Sequence, residues 1–430
     1  MSERPKPQAW PGYRWPHLIN LTDRLVREDR WPQTDRWLAL QFREHKAFGR
    51  KDRRFYSDAI FRLCREAAAL VWLQARFKDE VLDWQRDAVW ARLQTIPPAE
   101  LWSWLVLLDG ADDQLPRELT DAAERRRCLD ALSDDEQAQL NPLRQGWVPP
   151  LKARLERRIQ TSDWSADTLH HWQQLQQRRP PLWLRLVPGH EREALESLTG
   201  NGLTPIEQDG LAVAIDGDSR LTDIDAWRNG WLDIQDRGSQ RIVEAVNARP
   251  GERIWDLCAG AGGKALALAS LVGPDGHILA TDIRDHALDK TVQRAKRLGL
   301  PQLETRTLDA TDPEQIHPLN GLDFDAILID APCTASGTWR RSPDARWRLD
   351  EDSLRAFTDL QDRLLAQATG ALAPGGRLVY ATCSWLVEEN EDRVSAFLAQ
   401  HSDFKLVSQR IVGAPEDDAD TLFVAVMNRR

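Results

Sequence analysis

The chain has 430 residues, with 57 Lys+Arg against 67 Asp+Glu and a formal net charge of −10. This length predicts two to three domains with cores of their own, and 42% apolar with 29% charged residues excludes a mainly disordered chain. No apolar run approaches the ~20 residues that cross a bilayer, and the first fifteen residues carry no hydrophobic signal core, so the chain reads as cytoplasmic.

Residues 1–180 read as helical. Ile60, Leu63, Cys64, Ala67, Leu70 and Val71 recur at the spacing of one helix face. Thirteen of the 19 tryptophans fall before residue 190, mostly inside such periodic stretches, where the expectation is core packing rather than base stacking. The first 78 residues hold 17 basic and 9 acidic side chains, including Arg50, Lys51, Arg53 and Arg54. That local excess suits a polyanion, although a solvated helix face accounts for it as well. Arg178-Arg179-Pro180-Pro181 closes the region.

Residues 181–247 predict a small α+β module, with strands at 182–187 and 211–215 and a short helix at 191–198. From 248 to 430 strands and helices alternate, as in a Rossmann-like α/β fold with a parallel sheet. Strands are predicted at 253–257, 277–281, 303–307, 325–329 and 377–381. Helices are predicted at 265–270, at 285–298 with Gly299 as its stop, and from Ser353 onward.

The first strand of this region runs into Cys258, Ala259, Gly260, Ala261, Gly262, Gly263 and Lys264. Such a loop lets the backbone turn sharply and approach a nucleotide without a Cβ in the way. Asp282 ends the next strand, where it can accept from ribose hydroxyls, and Asp309 follows the third strand near where an adenine edge would lie. Gly260, Gly262 and Ala265 also satisfy a loose GxGxxG/A pattern, so a nicotinamide-dinucleotide enzyme and a ligand-free buried turn both stay open at this point.

The five cysteines, at 64, 128, 258, 333 and 383, form neither a disulfide framework nor a CxxC zinc site. Cys333 and Cys383 each follow a predicted strand and precede a small hydroxyl residue. Strand carboxyl ends line the ligand crevice of an open parallel sheet, which places both thiols in one cleft. A thiolate adding to carbon 6 of a pyrimidine makes carbon 5 nucleophilic enough to take a sulfonium methyl group, and a base then removes the proton at carbon 5. The attacking thiol must be partly ionised, for which Lys264 is suitably placed, and Asp330 is suited to act as an acid near the ring nitrogen.

With these motifs in view, residues 256–397 resemble the RNA cytosine-5 methyltransferases of the Sun/Nop type, in particular the bacterial small-subunit rRNA methyltransferase B (RsmB-like) group. The matching pieces are DLCAGAGGK (256–264), DAPCTASGT (330–338), RRSPDARW (340–347) and YATCSWLVEENE (380–391). The resemblance implies a class I S-adenosylmethionine-dependent domain, with Cys383 as nucleophile and Cys333 assisting release. It implies S-adenosyl-L-methionine held by Cys258–Lys264, Asp282, Asp309 and Asp330, and an RNA substrate, small-subunit rRNA, with no metal. Residues 182–240 resemble the RNA-binding module that precedes such domains. Residues 48–65 are similar to a NusB-like RNA-binding domain, which gives the helical region 1–180 its expected role.

Two positions depart from the family pattern: Ala261 stands where the loop usually has proline, and 420–425 reads DTLFVA in place of an Asp-Gly-Phe-Phe strand. The Glu416-Asp417-Asp418 run reads as an exposed loop, and Arg340, Arg341, Arg346 and Arg348 read as an RNA-facing basic patch beside the cysteines. The expected molecule is a monomeric enzyme. A non-catalytic RNA-binding ribosome-assembly factor that retains the fold is the alternative from another class.

Overall fold

The computed structural model describes residues 10, 12–84, 89–117, 119–216 and 220–430; the stretch read for a signal core lies largely outside them. The chain divides into two compact units. The first comprises residues 1–156 together with 342–348, and the second comprises 157–341 and 349–430.

The first unit is helical: α1 (Trp15–Val26), α2 (Thr34–Glu44), α3 (Arg50–Phe77), α4 (Val89–Gln94), α5 (Pro98–Leu108), α6 (Ala122–Asp130), α7 (Asp134–Arg144) and the start of α8 (Pro149–Ser162). α3 buries a continuous run from Ala67 to Ala75, and Trp102 and Trp104 of α5 are fully buried. Buried indoles need partners: Trp102 donates to Thr22 Oγ1 and Trp104 to Gln74 Oε1, both at 2.9 Å. The expectation of core tryptophans holds, since fourteen of the 19 are buried. Segment 342–348 forms part of this unit, with the Trp347 indole donating to the Cys64 carbonyl at 2.7 Å and stacking on Trp31.

The second unit continues from α8 through α9 (Ala166–Gln176) into a four-stranded antiparallel sheet. Its strands are β1 (Leu182–Leu186), β2 (Glu207–Asp209), β3 (Ala212–Ile215) and β4 (Leu232–Ile234), in the order β2-β3-β1-β4. Helices α10 (Glu191–Gly200) and α11 (Asp225–Arg228) belong to this module, and Leu184, Leu186, Leu198, Val213, Ile215 and Leu232 form its core. The two shortest strands, β2 and β4, have three residues each, too few to show a period in the sequence.

After α12 (Arg237–Val246) the chain alternates β5 (Arg253–Asp256), α13 (Gly263–Val272), β6 (His277–Asp282), α14 (Asp285–Leu298), β7 (Leu303–Thr307), α15 (Pro313–Ile316) and β8 (Phe324–Asp330). It ends with α16 (Glu351–Ala368), β9 (Leu372–Thr382), α17 (Glu391–Gln400), β10 (Phe404–Gly413) and β11 (Thr421–Arg429). The seven-stranded sheet has the order β10-β11-β9-β8-β5-β6-β7. Alternate residues of each strand feed opposite faces. Trp255, Ile327, Leu378 and Phe423 pack with Leu364, Leu365 and Phe397 of α16 and α17, while Ile254, Ile278, Leu328, Val379 and Val424 pack with residues of α12, α13 and α14.

This is a Rossmann-like α/β fold, with helices on both faces of a largely parallel sheet. Strand order reverses between β5 and β8, so the carboxyl ends of those strands diverge into a crevice. The DTLFVA departure leaves the last strand fully paired: β11 runs antiparallel to both β9 and β10. The 416–418 run corrects the expectation of an exposed loop. Only Glu416 is exposed; Asp417 is buried against Arg241, and Asp418 receives the guanidinium of Arg340 at 2.6 Å.

Candidate active site

The crevice holds a cavity of about 700 Å³, within the range of small-molecule sites. Its wall brings together Cys258, Ala259, Gly260 and Ala261 after β5, Asp282 at the end of β6, Asp309 after β7, Asp330 at the end of β8 with Cys333 beyond it, and Cys383 after β9. Gly262, Gly263 and Lys264 stand behind this lining at the start of α13.

The glycine loop is shaped by what surrounds it. Gly262 has φ +79°, and a Cβ there would sit 2.4 Å from Thr291 Cγ2, so only glycine fits. Gly260 also has positive φ, and its N–H donates to Asp282 at 2.8 Å. Ala261 in the usual proline position leaves the turn intact: the Gly262 N–H closes it on the Ala259 carbonyl at 2.9 Å. Asp282 further accepts from the backbone and guanidinium of Arg284 at 2.9–3.0 Å. Burial opposes its charge, but the Arg284 and Gly260 donors prevail and lower its pKa. Asp309 accepts from the Thr311 hydroxyl at 2.7 Å and from its N–H at 2.9 Å.

Lys264 reaches Asp330, Nζ to Oδ2, at 2.6 Å. Burial opposes the ammonium charge, but the Asp330 carboxylate outweighs it and raises the pKa. The charge of Cys383 acts on Lys264 in the same direction, which places that ammonium within electrostatic reach of the thiol. Asp256 sits beneath the pair, fully buried, its pKa pushed up to about 7 by burial and then by Asp330. The Cys258 thiol is pushed well up by burial and by the same acids, so this cysteine stays a thiol.

Cys333 and Cys383 approach to 3.3 Å, Sγ to Sγ. The Cys333 pKa is raised well above the ordinary thiol value, first by its hydrogen bond with Cys383, then by burial, and also by the charge of Glu389. The Cys333 thiol therefore keeps its proton beside Cys383 and Glu389.

The cavity is legible in the motifs, but the structure adds Asp256, Glu389 and Asn390, which sequence reasoning misses. Each lies inside a quoted motif; Asp256 is an acid ending an apolar strand, whereas Glu389 and Asn390 sit in the acidic run 388–392, where neighbouring acids conceal them. The predicted arginine patch is corrected. Arg340 is buried and bound to the Ala419 carbonyl and Asp418, and Arg341 pairs with Asp236 and Asp420. Arg346 is buried against the Gln145 carbonyl, and Arg348 pairs with Asp344. These guanidinium groups satisfy acids and carbonyls of the protein itself.

Residues 243–422 match the family model described as 16S rRNA methyltransferase RsmB/F. Curated relatives include ribosomal RNA small subunit methyltransferase B of Photorhabdus laumondii, 35% identical over 55% of this chain and 56% of that protein. The protein of the same name from Klebsiella pneumoniae is 34% identical over 60% of this chain and 62% of that one. The chain thus matches less than two thirds of the length of these relatives. Among solved structures, that of PH0851 superposes with a TM-score of 0.70 at 21% identity, covering 99% of this chain and 100% of that one. A methyltransferase homolog protein from Pyrococcus horikoshii superposes with 0.58 at 23% identity, covering 70% and 100%. The family match supports the resemblance read from the motifs over this segment, and the superpositions support the fold.

Proposed function

We propose that the protein transfers a methyl group from S-adenosyl-L-methionine to carbon 5 of a cytosine in RNA, with small-subunit rRNA as the substrate class. The observation that carries this reading is the pair of thiols 3.3 Å apart at the ends of neighbouring parallel strands, on the wall of an acid-lined cavity. The RsmB/F family match and the names of the curated relatives support the choice of rRNA.

The residues present suit the proposed cofactor. A left-handed glycine turn supplies a close backbone wall, Asp282 is placed for ribose hydroxyls and Asp309 for an adenine edge, and the acids around the cavity favour a cationic ligand. When bound, S-adenosylmethionine supplies an electrophilic sulfonium methyl group.

The chain's own residues do the rest. Lys264 favours the Cys383 thiolate by its charge, and Cys383 adds to carbon 6, moving electron density to carbon 5. The Lys264–Asp330 pair is the proton-handling unit for the ring nitrogen. Once Cys383 is a neutral thioether it no longer repels charge on Cys333, which can then ionise. The proton on methylated carbon 5 passes to Cys333 Sγ, the C5–H electron pair forms the C5=C6 bond, and the C6–S pair returns to Cys383. For RNA affinity, Arg50, Lys51, Arg53 and Arg54 are exposed at the amino end of α3, where helix dipole and side-chain charge both draw anions.

The test is transfer of labelled methyl to unmodified rRNA together with denaturing gels of protein and RNA. Cys383→Ala is expected to abolish methylation and any thiol-linked complex, and Cys333→Ala to let a covalent RNA complex accumulate. Normal methylation by Cys383→Ala would overturn the mechanism. Calorimetric titration showing no S-adenosylmethionine binding at millimolar concentration would instead favour the non-catalytic assembly factor.

A further inference from the structure

Two adjacent residues, Glu389 and Asn390, lie just before α17, and both are fully buried. Glu389 accepts from the Thr334 N–H at 2.8 Å and from the Thr334 hydroxyl at 2.6 Å, immediately after Cys333. Gln361 of α16, also buried, donates to the Pro332 carbonyl at 2.9 Å and to Glu389 at 3.3 Å, so the turn is gripped on both sides of Cys333. Asn390 grips the other thiol turn. It accepts from the Thr382 hydroxyl at 2.6 Å and donates to the Ser384 carbonyl at 2.9 Å, the two neighbours of Cys383.

We propose that Glu389 and Asn390 form a double clamp of positioning residues, each holding one thiol turn, that fixes Cys333 and Cys383 at working distance. Consecutive residues share a peptide bond, so their spacing cannot drift. Two loops, one after β8 and one after β9, are thereby referenced to a single rigid point. The Tyr380 hydroxyl donates to the Glu389 carbonyl at 2.6 Å and anchors that point to β9.

The clamp also explains a buried acid. Burial raises the Glu389 pKa, opposed by the donors from Ser384, Thr334 and Gln361. The groups acting electrostatically on Cys333 are Cys383 and Glu389, both of which favour its protonated form. Tyr380 lies close by, with Arg393 and Asp362 acting on its hydroxyl. Charge on Glu389 thus favours the protonated form of Cys333.

The inference about roles rests on the reading of Cys383 as nucleophile and Cys333 as release residue; the geometry is tested without it. Diamide oxidises paired thiols: two S–H bonds break, one S–S bond forms, and the two electrons and two protons pass to the diazene. Because this needs apposed sulfurs, Glu389→Ala and Asn390→Ala should each slow Cys333–Cys383 disulfide formation about tenfold or more, as expected for a displacement of ~1 Å between reacting atoms. The isosteric Glu389→Gln, which keeps an acceptor for Thr334, should recover part of the rate, and Asn390→Asp, which loses the donor to Ser384, should recover less. Thermal melts identify any variant that fails to fold, and the isosteric variants decide the matter there.

On the RNA complex the two sides of the clamp should give opposite signatures. Glu389 variants should accumulate the covalent complex as Cys333→Ala does, and Asn390 variants should form less of it. Unchanged disulfide rates in folded variants would overturn the clamp. Slowed disulfide formation with no covalent complex in Cys333→Ala would leave the clamp standing and overturn the assigned function.

Discussion

Asp256 shows how a single position can set the acid–base character of the site. Its carboxyl is raised from 3.8 to about 7, by burial first and then by Asp330, with Lys264 opposing. A folded-state value above the unfolded one means that the contribution to stability is present below about pH 4 and lost as pH rises through about 7. Asp256→Asn should therefore melt higher than the parent at pH 8, by an amount on the order of 2–4 kcal/mol, and show no such gain at pH 4. Melting curves at the two pH values check this, and an equal gain at both would show that the carboxyl ionises normally. Gly262 makes a steric prediction: Gly262→Ala forces a left-handed residue, at a cost of about 1–2 kcal/mol, and drives its Cβ into Thr291. It should lower both the melting temperature and cofactor affinity, the latter read by calorimetry.

At the scale of elements, β5, β6, β8 and β9 announced themselves by apolar runs ended by an acid or a thiol, whereas the edge strand β7, Leu303–Thr307, is mostly polar. β9 extends five residues earlier than predicted, because Leu372–Gly376 continues as strand despite two glycines. Helix 285–298 was readable to the residue, since Gly299 adopts the left-handed stop it predicts. Ion pairs that brace elements were not readable. Arg158 of α8, fully buried, donates to both oxygens of Glu391 at the start of α17, at 2.6 and 2.7 Å, and to the Trp385 carbonyl at 2.7 Å. Arg158→Ala leaves that acid without its cation and should cost about 3–5 kcal/mol. Denaturant titration measures it, and a loss below about 1 kcal/mol would show that Glu391 finds water instead.

For the whole molecule, the net −10 divides into +2 over residues 1–200 and −12 over 201–430. Several of the latter acids line or underlie the cavity, while the exposed cluster at the start of α3 is basic. RNA affinity should fall with added salt as phosphate contacts release counterions, and neutralising Arg50, Lys51, Arg53 and Arg54 should flatten the slope of affinity against salt. Neutralising Arg340 should instead destabilise the fold, since its guanidinium holds Asp418 and the Ala419 carbonyl. Binding isotherms at several salt concentrations, paired with melts, separate the two effects.

The local sequence determined what local physics can encode: the helical start, the alternation of strand and helix, the glycine turn, and the acids and thiols at strand ends. It could not say which arginines would be spent on internal partners. Arg340 and the exposed Arg50 are alike in the chain, and only tertiary contacts across 79 residues to Ala419 set them apart. Nor could it tell that Glu389 and Asn390 would be swallowed between two turns. The hydrogen bond across 55 residues to Thr334 forms only when the sheet brings β8 beside β9, and the one to Thr382 closes the segment that follows β9. The chemistry proposed for the thiols was read from their motifs; the distance between them was decided by the fold.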